Sequence, residues 1–75
     1  MNERMMRAIA KAMDIPVESI DTHADLMDIP GWDSVMYYSV LSCIGQEFGI
    51  KFTREELTDV ECLADIMAIA EQKAG

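Results

Sequence analysis

Seventy-five residues allow one domain with a thin core and no deep cleft, because a chain this short buries only about 60% of the surface its unfolded form exposes. Apolar residues at 51% and charged residues at 27% are the composition of a folded domain and not of a disordered one. Six basic against fourteen acidic residues leave a net charge of −8, which argues against nucleic acid and anionic lipid and for a cationic protein surface as partner.

From Glu3 to Met13, the residues Met5, Met6, Ile9, Ala10 and Met13 share one side, with Arg4, Arg7, Ala8 and Lys11 elsewhere, so the spacing predicts a first amphipathic helix. Asp14 and Pro16 end it, since the residue before a proline is pushed out of helical geometry. A connection follows from Asp14 to Asp33 that carries Asp14, Glu18, Asp21, Asp25, Asp28 and Asp33 and no lysine or arginine. So long a connection in a compact domain is usually functional. Val17, Ile20, Leu26, Met27 and Ile29 are spaced so that some of them can dip into the core. Pro30-Gly31 is a turn signal, and Asp33 or Ser34 is placed to cap the helix that follows.

That second helix is predicted over Ser34 to Phe48. Tyr37, Val40, Leu41, Ile44 and Phe48 form its core stripe, Ser39, Ser42 and Gln46 lie opposite, and Gly49 stops it. Thr53 with Glu56, and Thr58 with Glu61, are two capping-box patterns that predict a helix of one or two turns ahead of a last helix from about Val60 to Gln72. The last helix turns Leu63, Ile66, Met67 and Ala70 inward. Gly49 to Thr53 is too short to build a sheet. The expected fold is all-α: a small four-helix bundle, three main helices plus a short third one, with a long acidic loop between the first two, formed as one domain over residues 1–75.

Gly31-Trp32-Asp33-Ser34 delivers one serine to the first turn of an otherwise apolar helix. A serine there is exposed, and the helix dipole with its unpaired amides stabilises a nearby phosphodiester by about 0.3 to 1 kcal/mol. Asp33 is itself favoured at such a terminus and is suited to help hold Mg²⁺ while a phosphoryl-linked group is moved to the hydroxyl. The same dipeptide also reads as an ordinary cap.

With Asp33-Ser34 followed by an apolar residue, Glu47-Phe48-Gly49-Ile50 closing the second helix, and Leu57-Thr58-Asp59-Val60 leading into a helix with Leu63, Ile66 and Met67, nearly the whole chain resembles the acyl carrier protein family, peptidyl carrier domains included. The resemblance implies that Ser34 is esterified by 4′-phosphopantetheine taken from coenzyme A, whose thiol carries acyl or aminoacyl groups as thioesters, and that Asp33 assists the modification. It implies a phosphopantetheinyl transferase, an acyl- or aminoacyl-activating enzyme and downstream acyl-transfer enzymes of fatty-acid, polyketide or related specialised biosynthesis as partners. The protein would have no catalytic activity of its own and act as a monomer.

One departure stands out. Many members used in fatty-acid synthesis carry acidic residues along the second helix, whereas Val35 to Gln46 holds no charge here. Val35, Met36 and Tyr38 around the serine are read as a recognition surface that favours apolar and aromatic shape over charge. The alternative packs Met36 and Tyr38 under the loop. Trp32 brings the motif closest to carriers of specialised pathways; it either contacts the prosthetic arm or pins the loop to the core.

The acidic loop does not match a calcium-binding loop. Counting from Asp21, Leu26 and Trp32 stand where glycine and glutamate belong, and the loop is read as a solvated face or a docking surface. His23 is a surface or loop-packing residue, and a Ser34-His23 hydrolase lacks the nucleophile elbow. No metal site is expected. Cys43 and Cys62 fall at positions read as helical and without metal-ligand spacing, which points to reduced thiols. The seven methionines read as adaptable core packing or as a core that opens to an acyl chain. No run approaches the roughly 18 apolar residues that span a bilayer, and no signal-peptide apolar region follows the charged N-terminus, so a cytoplasmic location is expected. The rival reading is an acidic helical interaction module with no prosthetic group.

Overall fold

The computed structural model describes residues 2–75. It contains α1 (Asn2–Met13), α2 (Ser34–Phe48) and α3 (Leu63–Ala74), with three-residue 3-10 turns at Val17–Ser19, Leu26–Asp28 and Glu55–Leu57. Among the described residues the one extended pairing is an isolated bridge between Asp25 and Cys62, so the all-helical expectation holds.

α1 buries Met5, Ala8, Ile9 and Ala10 and leaves Met6 and Met13 half-exposed. Ala8, expected outside the apolar side, belongs to the core because positions 5, 8 and 9 stack on one helical face. The helix ends where Asp14 takes φ 57° and Ile15 N–H bonds to the Ala10 carbonyl at 3.1 Å, a left-handed closure built on aspartate instead of glycine. In the connection, Leu26 is buried and Ile20 and Ile29 pack on the core, while Met27 is 84% exposed.

α2 buries Val40 and Ile44, and half-buries Tyr37, Leu41 and Phe48 against the same core. Gly49 stops it at φ 67°, with the Gly49 and Ile50 N–H groups both bonding to the Gly45 carbonyl. This fold-back presses the Ile50 carbonyl onto Gly45, where a β-carbon would stand 2.8 Å from that oxygen. α1 packs chiefly against α2. Arg4 at the start of α1 meets Glu47 at the end of α2 through Nε–Oε1 at 3.0 Å and lies 4.7 Å over the Phe48 ring, so the two helices run antiparallel. The cation also suits the negative end of the α2 dipole.

The short third helix is a correction. Thr53 and Glu56 do form the reciprocal cap, at 2.8 and 3.2 Å. Beyond it, however, Leu57, Thr58 and Val60 N–H all bond three residues back, to Arg54, Glu55 and Leu57, and the segment stays a 3-10 turn. The second capping pair is also replaced. Thr58 Oγ1 donates to the Arg54 carbonyl, and Asp65 Oδ2 accepts from Glu61 and Cys62 N–H at 2.9 and 3.3 Å, so Cys62 caps α3 and is not helical. α3 therefore starts at Leu63, not Val60, and runs to Ala74. Leu63, Ile66, Met67 and Ala70 face inward as expected. Leu26 N–H to Glu61 O and Ala64 N–H to Thr22 O, both 2.9 Å, tie the acidic connection to this cap.

Gly45→Ala gains helix propensity of about 1 kcal/mol but overpacks against backbone, and a net loss of about 1–2 kcal/mol is expected in urea unfolding. The Glu61 and Cys62 N–H bonds, with His23 adding attraction, hold the Asp65 carboxyl below its ordinary value. A lowered native pKa adds stability above the unfolded value of about 3.9 and loses it as pH falls through the native one. The stability gap between wild type and Asp65→Asn should therefore narrow on acidification below about pH 4 in thermal melts.

Candidate functional site

Asp33 stands in extended backbone (φ −151°, ψ −176°), and its Oδ1 accepts the Met36 N–H at 2.8 Å. The aspartate, not the serine, is thus the cap. Ser34 is the first residue of α2, exposed, and its hydroxyl has no hydrogen-bond partner among the described residues. A free hydroxyl beside unpaired helix N-terminal amides is the arrangement that accepts and then stabilises a phosphodiester.

Around it, Val35 is 74% and Tyr38 69% exposed, whereas Met36 is half-buried. Tyr38 does not pack under the connection. Trp32 is half-buried against the core, with its ring centroid 5.8 Å from that of Tyr37, and its backbone N–H donates to the Ile29 carbonyl at 3.1 Å. It pins the end of the connection one residue before the cap. Burial, with Tyr38 beside it, raises the Tyr37 hydroxyl pKa above its ordinary value.

Sequence reasoning did not find the groove that begins one turn below Ser34. It has a volume of about 1000 Å³ and lies between Tyr37, Tyr38 and Leu41 of α2 and Ile50, Phe52 and Leu57 of the returning segment. Its existence depends on the fold-back at Gly45 and Ile50, for which the glycine inside an apolar helix was the available signal.

The acidic connection spends carboxylates on its own backbone: Asp21 Oδ1 accepts from His23 N–H at 3.0 Å and Asp25 Oδ1 from Met27 N–H at 2.9 Å. Among the described residues no three His, Cys, Asp or Glu side chains gather as a metal site, and Cys43 and Cys62 are free thiols.

Residues 3–69 match the phosphopantetheine attachment site family. The chain belongs to the acyl carrier protein family. It is 28% identical over 67 residues to an acyl carrier protein of Saccharopolyspora erythraea, a match that covers 89% of this chain and 70% of that protein. The family's prosthetic group is 4′-phosphopantetheine, and its members carry acyl groups and do not themselves catalyse. The exposed, unpartnered Ser34 hydroxyl at a capped helix start fits that group.

The two neighbours of the cap should separate on mutation. Trp32→Ala, which strips a ring from the core edge, is expected to cost about 1–3 kcal/mol in chemical unfolding. Val35→Ala should stay within about 0.5 kcal/mol of wild type, so any change in partner use by that variant reports recognition and not folding.

Proposed function

We propose that Ser34 is the attachment point of 4′-phosphopantetheine and that the protein carries acyl or aminoacyl groups between enzymes of a specialised biosynthetic pathway in the cytoplasm. The observation that supports this most is the division of labour at the start of α2. Asp33 satisfies the helix terminus and leaves the Ser34 hydroxyl free.

When bound, the prosthetic group supplies a thiol that holds acyl groups as thioesters. The chain contributes three things. The α2 N-terminus presents Ser34 to a phosphopantetheinyl transferase and favours the phosphodiester charge afterwards. Asp33 keeps that terminus in register through Oδ1 and offers the rest of its carboxylate to the transferase's Mg²⁺. Val35, Met36 and Tyr38 give the transferase, the activating enzyme and the downstream acyl-transfer enzymes an uncharged contact surface, with Trp32 fixing its edge. Tethering then replaces diffusion with a high effective concentration at successive active sites.

Incubation with coenzyme A, Mg²⁺ and a broad-specificity transferase should add one phosphopantetheine to the intact mass, and Ser34→Ala should abolish the gain. An unchanged wild-type mass with several transferases, or a gain that persists in Ser34→Ala, favours an interaction module without a prosthetic group. Asp33→Asn keeps an equally good cap, so its melting point should stay near wild type while modification slows by about tenfold or more.

A further inference from the structure

The groove below Ser34 is set apart by charge. In a chain of net charge −8 with fourteen carboxylates, none lines it, while Lys51 and Arg54 do. Three of the six cations are committed elsewhere, Arg4 to Glu47, Arg7 to Glu3 and Lys73 to Glu56. Among the described residues no carboxylate lies within ion-pair distance of Lys51 or Arg54, and both are exposed. The charged side chains that line the groove are therefore both positive on an acidic protein, and the rest of the lining is aromatic and aliphatic with Ser42, Gln46 and Thr58 in addition.

Lys51 also has a position along the groove. Ile50 sits on Gly45, eleven residues along α2 from Ser34, which at 1.5 Å per residue is about 16 Å. Lys51, next in the chain, thus marks the end of the groove remote from Ser34. That places it beyond contact with a phosphodiester on Ser34 and within the span of a group tethered there. The shape and charge together describe an occupant with an apolar body and a terminal anion.

Resting on the reading of Ser34 as the attachment point, we infer that the cargo this carrier favours is an acyl group ending in a carboxylate, its chain lying between Tyr38, Leu41 and Phe52 and its terminal anion met by Lys51 and Arg54. A neutral acyl group of the same length gains the apolar contacts and not the ionic ones. Arg54 suits a carboxylate through its planar fork of donors, and Lys51 adds a mobile point charge.

The test loads the protein from hexanoyl- and adipoyl-coenzyme A and confirms each mass. It then follows hydroxylamine cleavage of the thioester, with each rate normalised to the same acyl group on free pantetheine. Adipoyl should be cleaved about two- to fivefold more slowly than hexanoyl, the range of an exposed ion pair, and the difference should shrink in high salt. In Lys51→Gln/Arg54→Gln, both exposed positions, the two cargoes should become equal. Amide chemical shifts of Lys51 and Arg54 should move further on loading adipoyl than on loading hexanoyl, and that excess should vanish in high salt. Equal protection in wild type, or a difference that survives the double substitution, overturns the inference while leaving Ser34 as the attachment point. Failure of Ser34 to load at all overturns both.

Discussion

The start of α2 rests on one hydrogen bond, from Met36 N–H to Asp33 Oδ1 at 2.8 Å. It fixes Ser34 as the first helical residue and relieves its hydroxyl of any structural duty. Substituting an N-cap aspartate by alanine typically costs about 0.5–2 kcal/mol, so the bond matters to a domain whose core is thin. Trp32 supports it from the N-terminal side by packing against the core and Tyr37, which holds the end of the acidic connection in place. The serine is thereby presented by rigid elements on both sides.

The same economy governs the rest of the chain. Five of the fourteen carboxylates cap backbone amides: Asp21, Asp25, Asp33, Glu56 and Asp65 each accept a main-chain N–H. Part of the negative charge thus serves the backbone, and α2 between Val35 and Gln46 carries none. On that helix the side chains of Val35 and Tyr38 stand in solvent. The positive exception, Lys51 and Arg54 at the groove, is where the chain departs from its own charge pattern.

The three long helices and their inner faces were legible in the sequence because their apolar spacing is periodic and Asp33 and Gly49 mark the ends of α2. The position of the candidate site was legible for the same reason, as Asp33-Ser34 sits at a helix start that local chemistry defines. Less visible was everything set by contacts between segments. Thr58 and Glu61 have capping-box spacing, but Asp65 takes the Glu61 and Cys62 amides first, and α3 begins three residues later than the pattern suggests. Thr53 and Glu56 cap as expected yet open only a 3-10 turn, since propensity does not decide how far a short helix propagates. The groove depends on how the segment after Gly49 returns along α2, which no periodicity encodes.

The most direct measurement is fragment mass spectrometry of the transferase-modified protein. α2 carries three serines, Ser34, Ser39 and Ser42, and only Ser34 stands at the capped start of the helix. The account predicts that the phosphopantetheine mass lies on Ser34 alone. Its location on Ser39 or Ser42, or the absence of any modified serine, would contradict it.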